Sequence, residues 1–331
     1  MQAFIIRRIL IGIVILFVLS VSVFLLLRVV GGNPIIIRCG LNCKQEQIEA
    51  LEEEFGLNHP YFPVNFTSDA PFVEVSRNSQ YGNWLGRVLT GDLGTSTVNQ
   101  RPVSESIRVR FPVTMELMIL TLLMTIAIGI PFGIISAVFQ NSPADYVVRI
   151  AAVAGLAVPA FWVATMVLIL PQEWFDYAPP IGKLVKFQDD PVGNMQQFLP
   201  AAGVLALGSA AGIMRLTRSS LLETLRQDYM RTARAKGLRE RAIVFRHGLK
   251  NSLIPVVTVL GLQISGLLGG AIIIEQIFTI PGLGEYTFRA LALKDFDVVQ
   301  TMALYAGVTV VVLNLVVDVS YAWLDPRIRY S

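Results

Sequence analysis

Six long apolar runs punctuate the chain, and the polar stretches between them fix how it is organised. The first, Ile9–Leu27, has nineteen uncharged residues behind Arg7 and Arg8. At about 1.5 Å per residue it approaches the roughly 30 Å hydrocarbon core of a bilayer. It starts like a signal peptide, but the run is too long and no small-residue cleavage site follows. Residues 1–30 therefore read as an uncleaved transmembrane helix, with Arg28 snorkelling to the interface. The second run is Leu117–Val138, kinked at Pro131, and the third is Ile150–Leu170, with Pro159 near its middle; neighbouring helices tolerate such prolines. The fourth, Phe198–Met214, is dense in alanine and glycine, which suits close helix–helix approach inside a bundle. The fifth is Asn251–Ile274 and the sixth Val298–Val317. This pattern predicts an all-α membrane protein with six transmembrane helices.

The polar stretches predict smaller elements. Residues 31–112 form a small domain on one side of the membrane, between the first and second helices. Within it, Lys44–Phe55 reads as a short acidic helix with Ile48, Leu51 and Phe55 on one face. Tyr81–Leu93 is also helix-like, and Val103–Arg110 reads as an amphipathic helix on the membrane surface, with Val103, Ile107 and Phe111 towards lipid. Phe139–Arg149 and Gln172–Gln197 are loops. Residues 113–331 hold the other five spans and one long basic loop, 218–252.

Composition agrees with the pattern. The chain is 53% hydrophobic and 15% charged, well below the roughly 25% charge of ordinary soluble domains. A net charge of +3 gives no case for nucleic acid. Chemistry is scarce: two cysteines and two histidines, with no H-E-x-x-H, no C-x-x-C and no phosphate-binding G-x-x-x-x-G-K-[ST]. Gly182-Lys183-Leu184 lacks both the Ser/Thr and the upstream glycine. A membrane-embedded enzyme would need an intramembrane cluster of His, Asp, Glu or Cys, which the sequence lacks. A stand-alone channel or secondary carrier would favour internal repeats and midplane charges, and neither is found. Glu116, Glu275 and Asp318 lie at span ends and read as interfacial or structurally partnered. Asn314 reads as a bond to a neighbouring helix, His59 as a loop residue, and His247 as an exposed or capping group.

Charge distribution orients the chain. Ten Lys/Arg lie between Arg215 and Lys250, against Glu223, Asp228 and Glu240. Arg7, Arg8, Arg149, Arg327 and Arg329 fall on the same side of a six-span topology. The positive-inside rule puts both termini and the basic loop in the cytoplasm, and residues 31–112 outside. Within the loop, Ser220-Leu-Leu-Glu223 fits a capping box and predicts a helix start. Leu222, Leu225, Tyr229 and Ala233 then share a face, and Gly237 ends the helix as a residue able to take φ > 0. A second amphipathic helix, Glu240–Leu249, leads into the fifth span. On charge alone, attraction to anionic lipid explains the loop equally well.

The order of residues goes further. DYMRTARAKGL (228–238), RHGLKN (246–251) and Ile254-Pro255 resemble the coupling loop of integral-membrane permease subunits of ABC importers. The likeness is to the first permease of the dipeptide/oligopeptide/nickel group. GDLGTS (91–96) followed by Arg101-Pro102-Val103, FPVTMEL (111–117), Gly282-Leu-Gly284 after Glu275…Pro281, and LDPRIR (324–329) are similar to other segments of that family, in register along the whole chain. One departure is that Arg231-Thr232-Ala233 stands where the broader importer signature has Glu-Ala-Ala; the peptide-type subgroup also lacks that Glu. The resemblance implies a type I importer permease fold and a transport subunit that is not itself an enzyme and binds no cofactor or metal. ATP and Mg belong to two partner ATP-binding subunits, which grip a coupling helix at about Ser220–Gly237. Asp228, Tyr229, Arg231, Thr232, Ala233, Ala235 and Gly237 are the implied coupling contacts. The remaining implied partners are a homologous second permease, giving a heterodimer, and an external solute-binding protein that delivers di- or oligopeptides or, in other members, nickel or oligosaccharides. Cys39 and Cys43 are not expected in that family. An oxidising outer compartment permits a disulfide between them; the alternative is two unpaired thiols.

Overall fold

Long apolar runs can only span lipid as helices, because every backbone N–H and C=O must be satisfied within the segment. The computed structural model describes residues 2–29, 44–54, 57–62, 64–66, 73–75 and 78–324. Helices in chain order are α1 (Gln2–Val29), α2 (Gln45–Glu54), α3 (Gln80–Leu89), α4 (Val103–Val138), α5 (Pro143–Ala157), α6 (Ala160–Phe175), α7 (Pro191–Leu225) and α8 (Asp228–Ala235). There follow α9 (Glu240–Ala242), a π-helical segment Ile243–Gly248, α10 (Leu249–Ile277), α11 (Leu283–Ala292) and α12 (Phe296–Leu324). The antiparallel strands β1 (Val64–Phe66) and β2 (Val73–Val75) pair Val64 with Val75 and Phe66 with Val73, a small sheet that the all-α expectation did not contain. Among the described residues five helical runs are long and apolar enough to cross a membrane, and α5 with α6 makes a sixth if that bent pair counts as one span. The six-span architecture is thus borne out.

The chain divides into two compact units. One comprises Pro112–Glu285 and the chain from Val312. Its core joins Leu117 of α4, Ala164 of α6, Phe198, Ala201 and Ala202 of α7, and Ala271 and Ile274 of α10. Lipid tails are as apolar as leucine, so these helices gain little from hydrophobic burial and depend on close van der Waals fit. Small residues supply that fit: Ala201, Ala202, Ala206, Ala210 and Ala211 are all buried, as the composition of the fourth span predicts. A Cβ on Gly133 of α4 would lie 2.6 Å from Thr217 Cβ. Polar staples complete the unit. The buried Glu275 carboxylate accepts hydrogen bonds from Thr114 Oγ1 (2.6 Å), Gly284 N (2.7 Å) and Glu285 N (3.0 Å). It therefore caps the start of α11, and Thr114 Oγ1 accepts from Leu283 N beside it. Ser265 Oγ donates to Asn314 Oδ1 at 3.3 Å. Glu275 and Asn314 thus take the structural roles expected of them.

The other unit comprises Gln2–Phe111 and Tyr286–Val311. Phe24 of α1 packs edge-on to Phe62 and Tyr81, next to Trp84. Ser79 caps α3 by accepting from Gly82 N at 3.0 Å. Asp295, in the turn before α12, accepts from Ser96 Oγ (2.5 Å), Thr97 N (3.2 Å) and Thr97 Oγ1 (3.1 Å), fastening the 94–102 loop. His59 lies in a loop and its carbonyl accepts from Gln80 Nε2.

Several expectations are corrected. Arg28 does not snorkel: its Nε donates to Gln80 Oε1 at 2.8 Å and its guanidinium stacks near Phe24 and Phe296. Val103–Arg110 is not a separate surface helix but the first turns of α4, with Val103 and Ile107 buried in protein. A four-residue apolar spacing marks a buried face without saying whether lipid or protein covers it. The third run is not one kinked helix: α5 and α6 meet at 100°. Pro159 disfavours helical backbone at the residue before it, and Val158 is extended (φ −84°, ψ 127°). The loop before α5 is correspondingly short, because Ser142 and Pro143 form an N-cap and N1 pair. The loop between α6 and α7 covers only 176–190. Cys39, Cys43, Phe55 and the 325–331 tail lie outside the described residues.

Candidate functional site

The basic loop is not a loop. α7 runs unbroken for 35 residues to Leu225, so Ser220 is a mid-helix residue and not the cap that Ser220–Glu223 spacing predicts. Its hydroxyl donates instead to the Ser252 carbonyl at 2.9 Å. The chain breaks only at Arg226–Gln227, where Gln227 turns extended (φ −66°, ψ 151°) and α8 begins. The predicted helix Ser220–Gly237 is therefore two helices, and Leu222 and Leu225 share no face with Tyr229 and Ala233. Leu222 and Leu225 both pack against Ala137, Leu221 and Val244, and Leu225 bridges from there to the inner side of α8.

α8 has Asp228 in its first turn and Arg234 in its last, the polarity that its macrodipole favours. Its end is a complete Schellman closure. Gly237 has φ +75° and donates to the Arg234 carbonyl at 2.9 Å, and Leu238 N points to the Ala233 carbonyl at 3.4 Å. Gly237 thus fills the role expected of it. Met230 and Ala233 turn inward onto Ile243 and Leu225. Eight residues cannot form a stable helix alone, and this miniature core holds α8 in place.

Seven residues of this stretch were expected to make coupling contacts. Asp228, Tyr229, Arg231, Thr232, Ala235 and Gly237 all lie on the exposed surface of one knob. Ala233 does not; it is 9% exposed and belongs to the knob's interior. Tyr229 is half committed, because its hydroxyl accepts from Asn251 Nδ2 at 2.9 Å. Arg234 pairs with Glu240 at 2.9 Å, which raises its guanidinium pKa further, and Arg231 lies 3.5 Å from Asp228. Such exposed pairs contribute about 0–1 kcal/mol each; they shape the surface more than they hold it. The predicted Glu240–Leu249 helix runs straight into the fifth span, with a π-helical turn at Ile243–Gly248. His247 is half-buried in that turn. A Cβ on Gly248 would sit 3.3 Å from Leu221 Cδ1, so its absence lets α7 lie close.

Beside the knob is a polar groove of about 540 Å³, lined by Gln140 of the α4–α5 turn, Arg218, Glu223, Arg226 and Asp228, among others. Under its edge lies a buried ion pair that the sequence reading missed. Asp145 of α5 is bound by Arg218 of α7 through Nε (2.8 Å) and Nη2 (2.9 Å), by Ser136 Oγ (2.5 Å) and by Asn141 N (2.9 Å). Ser142-x-x-Asp145 was visible as a capping pattern, but nothing in the sequence tied it to an arginine 73 residues away. Among the described residues no group of three or more His, Cys, Asp or Glu could hold a metal ion.

A helical membrane bundle from which a short capped helix protrudes between two spans defines a membrane-embedded component that another protein can grip. Residues 129–330 match the family described as "Binding-protein-dependent transport system inner membrane component", and residues 1–118 its N-terminal companion. The chain belongs to this family of multi-pass transport permeases. It is similar along its full length to the oligopeptide transport system permease protein AppB of Bacillus subtilis (strain 168), with 38% identity over 336 residues and all of both chains covered. It is likewise similar to the dipeptide transport system permease protein DppB of Alkalihalophilus pseudofirmus, with 36% identity over 350 residues and all of both chains covered. Among solved structures, a crystal structure of an amino acid ABC transporter with histidines shares the fold, with a TM-score of 0.51 at 13% identity over 71% of this chain and 96% of that one.

Proposed function

We propose that the chain is one permease of a heterodimeric ATP-driven importer and lines the translocation path for di- and oligopeptides. The observation that carries this reading is α8, a short, exposed, self-capped helix held by its own core between two membrane-crossing runs. Two ATP-binding subunits hydrolyse ATP, and a groove on one of them grips Asp228, Tyr229, Arg231, Thr232, Ala235 and Gly237. Both termini and the knob face the cytoplasm, as the basic residues favour, and residues 31–112 lie outside. An external solute-binding protein delivers the peptide at the opposite face, and closure of the ATPases turns the path from inward- to outward-facing. The peptide cargo is supported by full-length relatives named for oligopeptide and dipeptide transport; this chain itself supplies no cofactor.

Gly237 provides the test. Its φ of +75° is costly for any other residue, yet no atom lies within 4 Å of where a Cβ would go. Gly237→Ala therefore strains the helix end by about 1–2 kcal/mol without a clash of its Cβ and leaves membrane insertion intact. The complex reconstituted in liposomes should keep hydrolysing ATP while uptake of labelled peptide falls at least tenfold. Uptake at the wild-type rate by this variant would refute the assignment of the knob, and a wild-type complex that takes up no peptide would refute the cargo.

A further inference from the structure

We infer that Asp145 is a positioning residue for energy coupling: its bond to Arg218 makes α5 and the cytoplasmic end of α7 move as one body, so that displacement of α8 reaches the α5–α6 bend. This rests on the proposed role of α8 as the coupling helix. The argument begins with the number and direction of the bonds. Asp145 is fully buried and its carboxylate faces four donors: two guanidinium N–H groups, a hydroxyl and a backbone amide. These partners come from three places, namely the end of α4 (Ser136), the α4–α5 turn (Asn141) and α7 (Arg218). A planar guanidinium held through both Nε and Nη2 fixes orientation as well as distance. Asp145 is in addition tied to its own helix start, where its N–H points to Ser142 Oγ at 3.4 Å.

Placement decides what such a joint does. Arg218 is seven residues before the last residue of α7, about 10 Å along the axis, and only the two-residue turn at Arg226–Gln227 separates that end from α8. No proline or glycine interrupts α7 between Arg218 and Leu225, so force that enters α7 through the Arg226–Gln227 turn arrives at Arg218 without a second break. From there the bidentate pair passes it sideways to α5. α5 also touches α7 deeper in the bundle, where a Cβ on Gly155 would be 3.2 Å from Ala211 Cβ and 3.3 Å from the Leu207 carbonyl. Two attachments along one helix, one of them orienting, transmit rotation where one alone would act as a pivot. At its far end α5 breaks into α6 at Val158–Pro159, bent by 100°, which is where the motion is released as a change of angle. An ion pair kept only to stabilise the bundle would not need to sit at the outlet of the coupling helix.

The test uses the full importer in liposomes with its binding protein. Two variants are compared: Asp145→Asn, whose amide cannot accept from all four donors, and Arg218→Lys, which keeps the charge but loses the fork. Peptide transported per ATP hydrolysed should fall at least tenfold in both. A spectroscopic readout separates coupling from folding. Spin labels at exposed Val147 and Arg215, in a chain with Cys39 and Cys43 replaced by serine, should keep a single distance with and without ATP in the otherwise wild-type chain. In either variant the distribution should broaden or split on ATP binding. An unchanged transport-to-ATP ratio with an unchanged distance overturns the inference. If Asp145→Asn does not assemble, Arg218→Lys decides alone; if neither assembles, the pair only maintains the fold and the inference is overturned. A wild-type complex that neither hydrolyses ATP nor transports refutes the importer reading itself, a result distinct from a variant-specific loss.

Discussion

Glu275→Ala should loosen the α10–α11 junction more than any other single side-chain truncation there. Glu275 is buried, and its carboxylate receives three hydrogen bonds at 2.6–3.0 Å, two of them from the second and third backbone amides of α11. Alanine removes the acceptor and leaves Gly284 N, Glu285 N and Thr114 Oγ1 without it in a closed space. A hydrogen bond to a charged group contributes about 1.5–3 kcal/mol. Three would sum to nearly 7, but water entering the vacated volume and non-additivity reduce this to about 3–5 kcal/mol, the lower half of what three buried donors left unpaired at about 1–3 kcal/mol each would cost. For a body of this size that corresponds to a fall of roughly 10 °C in melting temperature. Glu275→Gln keeps a carbonyl for the two amides and should lose about 1 kcal/mol. The neighbouring glycines offer a control from the other side. A Cβ on Gly284 would lie 2.5 Å from Ile272 Cα, and one on Gly282 would collide with the Glu275 carboxylate, so Gly284→Ala should mimic Glu275→Ala. The assay is thermal unfolding of the detergent-purified complex followed by thiol-reactive dye at a cysteine placed on buried Ile280. A melting temperature for Glu275→Ala within 2 °C of wild type, outside the roughly 10 °C expected from these energies, would refute the reasoning that this carboxylate is a cap.

Two further outcomes test the knob and the other unit. Met230→Ala empties the centre of the α8 core, where Met230 and Ile243 are fully buried; a loss of about 2–5 kcal/mol exceeds what so small a cluster can supply. α8 should therefore unfold locally, with hydrogen exchange at 229–236 rising to loop rates while α7 and α10 stay protected. Asp295→Ala frees the 94–102 loop from its three hydrogen bonds, and the Thr97 amide, bonded to Asp295 Oδ1 at 3.2 Å, should then exchange its hydrogen markedly faster than in wild type.

The spans were legible because lipid imposes a condition that sequence must meet openly: about twenty residues without charge. Gly237 was legible because glycine takes φ > 0 at a helix end without steric cost, although Asp176, Thr279 and Lys294 adopt φ of +50 to +52° at other helix ends. The seam between α7 and α8 was not. Ser220–Glu223 satisfies the capping pattern, yet Ser220 finds a better partner in the Ser252 carbonyl, a contact 32 residues away. The true break at Arg226–Gln227 carries neither glycine nor proline. Pro159 announced a perturbation, but its neighbours decide whether a proline kinks a helix or divides it. Ala233 has the right composition for a docking surface and faces inward because Met230 and Ile243 need a lid. Asp145 and Arg218 were each visible as charges near span ends; that they meet follows from the crossing of α5 and α7.

The 35 residues of α7 form a rod about 52 Å long, against a hydrocarbon layer of about 30 Å. Some 20 Å would stand clear of the acyl chains if the helix were untilted, and on the proposed reading a subunit gripping α8 works at the end of a lever. A push of about 5 Å at the tip, the scale of one helical pitch, tilts such a rod by only about 6°. Mechanical advantage thus runs towards force rather than travel at membrane depth. Alanine-lined contacts packed to van der Waals distance need only small displacements to be broken and remade.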